Sequence, residues 1–306
     1  MTGVVVNRSQ VSQVADSSHN HLLSPNVKLK QRKLWIGTFI SDRLDSLFFP
    51  LPSDSWLTKF ISRDISLVNA DPEIGEANLK QLANKCIELD TFVLLELPRT
   101  RELPQRRNAI AWSVKRIIDW VAALVILIIL SPVMLVLAAT IAYTSSGSIF
   151  FHQWRVGQGG RLFQIIKFRS MISNADQLHH QVMSGQTGLH KCEDDPRVTS
   201  IGRWMRKYSL DELPQLFNVL RGEMSLVGPR PWALYDALRI SGNGKRRLNC
   251  TPGVTGAWQV SARSTMLDID AVTDCDLNYL RNWNLWMDLK ILLMTVPKVL
   301  SGFGAF

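Results

Sequence analysis

Apolar positions in this chain fall into one long block and several short periodic runs. The block is Trp120–Tyr143, 24 residues without a charge, preceded by Lys115, Arg116 and Asp119. Length alone makes it a transmembrane-helix candidate. Ser131-Pro132 stands at its midpoint, where proline removes a helical hydrogen bond and kinks or breaks the helix. Each half then has 11 or 12 residues, about 16–18 Å of helix against a hydrocarbon core of about 30 Å. The flanks agree in sign. Arg106, Arg107, Lys115 and Arg116 come before the block, and Arg155, Arg161, Lys167 and Arg169 after it. Such charges hold both ends on the cytoplasmic side. A re-entrant helical hairpin turning at Ser131 and Pro132 is therefore expected, with a single span as the alternative.

Shorter runs outline the rest. Ile65–Ala70 and Thr91–Leu97 have strand character, and Glu73–Lys85 between them carries Ile74, Leu79, Leu82 and Ala83 at helical spacing. This is one strand–helix–strand unit without a glycine-rich phosphate loop. After the apolar block, Phe150–Gly157 and Phe163–Ser170 predict two strands around a Gly157–Gly160 turn. Asp176–Gly188 predicts a helix and loop, Arg197–Tyr208 a helix with Ile201, Trp204 and Met205 in register, and Leu213–Leu220 a further helix. Trp283–Leu300 is apolar with tryptophans at one end, interrupted by Asp288 and Lys290 and limited by Pro297. It fits a helix lying in the membrane interface or, equally, a core helix.

Composition narrows the partners. The 306 residues carry 35 basic and 26 acidic side chains, a formal charge of +9. That charge suits an anionic partner: nucleic acid, an acidic membrane surface or a phosphorylated substrate. No basic stretch has the aromatic interleaving of a nucleic-acid-binding module, so no nucleic-acid partner is expected. The four cysteines, Cys86, Cys192, Cys250 and Cys275, match no zinc, redox or disulfide spacing, which indicates a reducing, cytosolic face. His179 and His180 lack a carboxylate or cysteine at ligand spacing. Residues 1–27 are polar and expected to be disordered, 28–107 form a small α/β module and a linker rich in arginine and proline, and 108–306 hold the membrane segment and the remainder.

The chemistry concentrates in Lys207–Pro231. Asp211 and Glu212 stand side by side after Arg206 and Lys207 and before a Gly228-Pro-Arg-Pro231 turn. Paired carboxylates among fixed cations can hold a divalent ion or attack phosphorus, while guanidinium groups bind phosphate oxygens. Locally, Ser209-Leu-Asp-Glu212 also fits a capping box. Pro214 weakens that reading, because a helix starting near Pro214 leaves the acidic pair in the preceding turn. Arg230, fixed between two prolines, is the strongest candidate cation.

Five motifs occur in one order: Lys167-Phe-Arg-Ser-Met171, Asp195-Pro-Arg-Val-Thr199, Ser209-Leu-Asp-Glu-Leu-Pro-Gln215, Met224-Ser-Leu-Val-Gly-Pro-Arg-Pro231 and Pro252-Gly-Val-Thr-Gly256. Over roughly Asn108–Leu300 the chain resembles the bacterial sugar transferases, the monotopic polyprenyl-phosphate phosphoglycosyl transferases. The resemblance implies an α-rich α/β monotopic membrane protein: a re-entrant hairpin, a cytosolic catalytic domain and, here, an added N-terminal α/β module. It implies transfer of a sugar 1-phosphate from a nucleoside-diphosphate sugar, expected to be a UDP-sugar, to undecaprenyl phosphate on the inner leaflet of the cytoplasmic membrane. That reaction starts lipid-linked glycan or exopolysaccharide synthesis. By the same resemblance Asp211 is the nucleophile, forming a covalent phosphosugar, and Glu212 helps place Mg²⁺, so both are metal ligands. Lys167, Arg169, Arg206, Arg230, Arg263 and Asp276 match substrate- or phosphate-binding positions. On a strand Lys167 and Arg169 would share a face. Ala262 replaces the family's usual glycine beside Arg263, and Ser170 replaces a threonine while keeping the hydroxyl. A homodimer or glycan-assembly partners are compatible with this reading. The rival readings are a membrane-anchored metal-dependent phosphohydrolase and a catalytically silent scaffold.

Overall fold

The computed structural model describes residues 26–30, 33–37, 65–98, 100, 103–175, 178, 195–240, 242–261 and 268–302. The expected N-terminal disorder up to residue 25, almost all of the expected Asp176–Gly188 helix, the His179–His180 pair and Arg263 lie outside them. The chain divides into two compact units, Met1–Leu97 with Gly159–Leu162, and Pro98–Gln158 with Phe163–Phe306.

In the first unit β1 (Asn26–Lys30) and β2 (Lys33–Gly37) form an antiparallel pair. β3 (Leu67–Ala70) then pairs parallel with β2, and β4 (Phe92–Leu95) parallel with β3, giving the order β1-β2-β3-β4. Strand alternation puts Leu34, Ile36, Val68, Ala70, Val93 and Leu95 on buried positions. Helix α1 (Glu76–Glu88) contributes Leu79, Leu82, Ala83 and Cys86 at helical spacing. The strand–helix–strand reading is present, but the β1–β2 pair had no sequence signal beyond short alternation. The boundary expected after residue 27 falls inside β1.

The second unit begins with a correction. Residues expected to be a linker include α2 (Pro104–Arg107), with proline at its first turn, where the missing N–H costs nothing. Leu103 is buried in the core and Arg107 donates to the Leu280 carbonyl at 2.7 Å, so this segment is packed. Helix α3 (Ala109–Thr144) follows, capped by the Asn108 side chain. It starts 11 residues before the uncharged block and is long and apolar enough to cross a membrane. Pro132 lies inside it without ending the hydrogen-bonded run. The reason is local. Proline cannot donate to the carbonyl four residues back, and Ser131 Oγ donates to that Ile128 carbonyl instead, at 2.8 Å. The expected interruption at Ser131-Pro132 is therefore a compensated proline rather than a break.

After α3 come the neighbouring strands β5 (Phe150–Val156) and β6 (Leu162–Phe168), α4 (Ser200–Lys207), a 3₁₀ turn at Leu210–Glu212 and α5 (Gln215–Leu220). Next are β7 (Ser225–Val227), α6 (Leu234–Arg239), a 3₁₀ run at Gly242–Asn249, and β8 (Gly253–Thr255), parallel to β7. Helices α7 (Ala257–Ser261), α8 (Ile269–Asn282) and α9 (Leu285–Ser301) complete it. Contrary to expectation Pro297 does not limit α9, which continues to Ser301. On α9 only Asp288 and Ile291 are buried, and Trp286, Leu289, Leu293, Val296 and Leu300 are exposed.

One apolar core joins α3, β6, α5, β7, α8 and α9 through Trp112, Ala123, Leu127, Met134, Ile141, Ile165, Leu216, Leu226, Leu280 and Ile291. Beside it lies a buried polar network. Lys115 bonds Asp119 at 3.2 Å and Asp288 at 2.8 Å. Ser225 Oγ donates to Asp119, and Tyr279 OH and Trp283 Nε1 donate to Asp288 at 2.7 and 3.1 Å. These charges at the base of α3 are satisfied by partners far along the chain, as burial demands.

Candidate active site

Asp211 and Glu212 sit in the 3₁₀ turn, and α5 begins after Pro214. The Ser209 side chain makes no capping bond to the turn, so the pair lies before the helix as the Pro214 argument required. Ser209 takes a left-handed φ of 52°, a conformation that non-glycine residues rarely adopt and that concentrates at functional sites. Both acids are buried, at 6 % and 7 % exposure, which is costly for carboxylates unless they are paired.

Glu212 is paired twice. Its Oε1 lies 2.7 Å from Lys167 Nζ and 2.9 Å from Arg230 Nη2. Burial lowers the pKa of Lys167 even though Glu212 and Asp211 pull it upward. For Arg230 burial pulls down, but the charge and hydrogen bond of Glu212, together with the Asp211 charge, outweigh it and the net shift is upward. Lys167 reaches the pair from β6 and Arg230 from the turn after β7. That turn is held by backbone contacts: Gly228 N donates to Thr255 O and Gly253 N to Pro229 O, both at 2.9 Å. A Cβ on Gly228 would meet Thr251 O at 2.7 Å, and one on Gly253 would meet Gly228 N at 2.1 Å. Only glycine allows this approach, which links two motifs distant in sequence.

The other expected residues are placed differently. Arg169 directly follows β6, and its guanidinium does not bond the acidic pair as Lys167 does. It donates instead to the Ser145 carbonyl and hydroxyl, at 2.9 and 2.7 Å, as a cation at the C-terminal end of α3. Arg206, in the last turn of α4, donates to Ser170 Oγ at 2.9 Å, the hydroxyl the motif retains. Asp276 is 1 % exposed and bonds Arg247 Nε at 3.0 Å; the structure places it behind the Arg230 turn.

Two further arginines, Arg155 and Arg247, join this arrangement. Arg155 on β5 forms an antiparallel bridge with Ala233, beside the Arg230 turn. It also bonds the Gln153 side chain, while its Nε is buried without a hydrogen-bond partner among the described residues. Burial lowers its pKa, and Tyr235, Arg230, Asp236 and Glu212 are close enough to act on its charge. In the sequence it counted only as a basic flank of the apolar block. Arg247 sat in a Lys-Arg-Arg run that resembles a solvated charge cluster.

For a metal, the described residues contain no group of three His, Cys, Asp or Glu. Two adjacent carboxylates do fit Mg²⁺, which is usually held by one or two carboxylates together with substrate phosphates and water. Lys167 and Arg230 both bond Glu212 Oε1, and the carboxylates of Asp211 and Glu212 are the groups that would hold the ion. Converging cations around a buried acidic pair are the kind of groups that phosphoryl transfer would use.

Comparison with known proteins agrees in extent. Residues 110–302 match the bacterial sugar transferase family. This chain belongs to that family. An undecaprenyl-phosphate galactose phosphotransferase of Salmonella typhimurium is 42 % identical over 199 residues, 63 % of this chain and 41 % of the relative. The exopolysaccharide production protein ExoY of Sinorhizobium fredii is 38 % identical over 217 residues, 67 % of this chain and 94 % of the relative. A UDP-glucose:undecaprenyl-phosphate glucose-1-phosphate transferase of Klebsiella pneumoniae is 39 % identical over 65 % of this chain and 43 % of its own length. This sugar transferase chain thus spans about two-fifths of the phosphotransferases and nearly all of the ExoY relative. The matched region contains every described residue of the site.

Proposed function

We propose that this chain transfers a sugar 1-phosphate from a UDP-sugar to undecaprenyl phosphate, the first step of lipid-linked exopolysaccharide synthesis. The observation that carries the proposal is Glu212 fixed between Lys167 and Arg230, next to the buried Asp211. An Asp211 carboxylate oxygen attacks the sugar-bearing phosphorus of the donor. The bridging P–O bond breaks, and its electron pair leaves with the nucleoside monophosphate. A phosphate oxygen of undecaprenyl phosphate then attacks the same phosphorus and releases the Asp211 carboxylate. Arg230 and Lys167 hold Glu212 in place and offset the charge of the incoming diphosphate. Mg²⁺ bound by Asp211 and Glu212 would supply further charge screening at the phosphates. The names of the Salmonella and Klebsiella relatives support the acceptor, and the latter the UDP-sugar donor.

A re-entrant α3, with catalysis on the cytoplasmic leaflet, belongs to the same proposal. Basic residues flank both ends, and both ends are tied to one unit: Arg116 donates to Met224 O at 2.8 Å and Ser145 accepts from Arg169.

The test is release of nucleoside monophosphate by purified protein from a panel of UDP-sugars with Mg²⁺ and undecaprenyl phosphate, beside Asp211→Asn. Release that depends on metal and abolished activity in the variant are expected. Undiminished release in Asp211→Asn rules out the nucleophile; sugar phosphate freed without acceptor points to hydrolysis.

A further inference from the structure

We infer that Arg247, oriented by Asp276, is a positioning residue that sets the placement of Arg230 and through it Glu212; the inference rests on the transferase reading. Arg247 comes from the 3₁₀ run Gly242–Asn249 and is 2 % exposed. Its Nε donates to Asp276 Oδ2 at 3.0 Å, and its Nη2 bonds the same oxygen. That Nη2 also donates to the Arg230 carbonyl at 3.0 Å. The guanidinium carbon lies 4.1 Å from the centroid of the Trp232 ring. One side chain thus grips Arg230 by its backbone and Trp232 by its face, while Arg230 holds Glu212 at 2.9 Å.

The turn needs such a grip. Pro229 and Pro231 have no N–H, so the segment cannot hold itself through those amides. Backbone bonds from Gly228 and to Pro229 fix its start. Beyond that point the Arg230 carbonyl accepts from a side chain on another element. A buried ion pair such as Arg247–Asp276 adds little net stability, since desolvation offsets much of the attraction. What it does here is aim a donor whose own rotamer is locked. Asp276 therefore influences the site through Arg247, two contacts from Glu212, rather than by touching a phosphate.

The test compares Arg247→Lys, Arg247→Met and Asp276→Asn, each alone and combined with Arg230→Ala, by kcat and KM for nucleoside monophosphate release. Arg247→Lys keeps a cation for Asp276 but loses the fork that serves two acceptors. It is expected to lower kcat about tenfold or more, the scale of a misplaced catalytic group, with KM changed far less. In the Arg230→Ala background the same substitution should cost less than about twofold, because residues acting through one group are not additive. Hydrogen exchange over residues 224–235 reads the placement without turnover. Faster exchange confined to that segment in Arg247→Lys is expected, whether or not Arg247→Met folds. Full additivity with Arg230→Ala, or unchanged exchange over 224–235, overturns the inference. Wild-type protein without turnover defeats the transferase reading instead, and the exchange result then decides the placement by itself.

Discussion

Lys167 is where residue-scale chemistry meets solution conditions. It holds Glu212 only while protonated, and burial lowers its pKa below that of an ordinary lysine. As pH rises through that lowered value, the ammonium loses its proton and the ion pair with Glu212 is lost. The alkaline limb of kcat/KM should therefore fall below pH ~10.4, the ordinary lysine value. Lys167→Arg keeps the charge at all accessible pH and should shift that limb upward; an unmoved limb would assign it to another group. Arg155 gives a second prediction at this scale. Its buried Nε and the charges around it put a further cation beside Lys167, Arg230 and the acidic pair. Arg155→Ala should lower kcat/KM by about a hundredfold, the low end of the loss for one charge-stabilising donor. Normal kinetics in well-folded Arg155→Ala would leave it a purely structural residue. The acidic pair was legible in the sequence because its signal is local: two carboxylates before a proline-started helix. Arg155 and Arg247 were not, because their partners lie on other elements and a basic residue gives the same local signal on a solvated face.

At the scale of elements the base of α3 is the informative case. An uncharged run marks where a helix can meet lipid, but not where it starts, since charged residues inside a helix interrupt the pattern. Lys115 and Asp119 belong to α3 because Asp288 and Ser225 satisfy them. The Asp288 partner is 173 positions from Lys115 and left no local trace in the sequence. Within the linker expected at residues 98–108, the packing of Leu103 and Arg107 has the same origin, for they find their places only in the folded unit. The network makes a stability prediction. Lys115→Met would leave Asp119 and Asp288 buried and poorly compensated, costing about 3–5 kcal/mol, the range for breaking a buried pair. Replacing Asp119 and Asp288 as well, with leucine, should recover part of the loss. Thermal unfolding in detergent measures both, and a Lys115→Met midpoint equal to that of wild type would show that the network is solvated.

For the whole molecule the question is how a helix of 36 residues, about 54 Å if straight, sits in a membrane core of about 30 Å. Its beginning is held by Met224 and Ser225 and its end by Arg169. These anchors are close in the fold. Asn218 accepts from Ile166 on β6 at 3.0 Å, and its carbonyl accepts from Met224 N at 3.2 Å. A helix that crossed the bilayer would separate the anchors by the full hydrocarbon thickness, pulling the polar groups of the catalytic unit away from water. On the proposed re-entrant reading, a bend within the continuous helix at Pro132 would keep both anchors on one side. Proline would supply that bend, and the Ser131 bond to Ile128 satisfies the carbonyl it frees. With Cys192 and Cys275 replaced by serine, single cysteines at Ser113 and Ser146, both exposed at the two ends of α3, report the topology. A membrane-impermeant maleimide should label both in inside-out vesicles and neither in right-side-out vesicles. Labelling of Ser146→Cys from the outer face alone would make α3 a single span and separate Arg169 from the residues around Glu212.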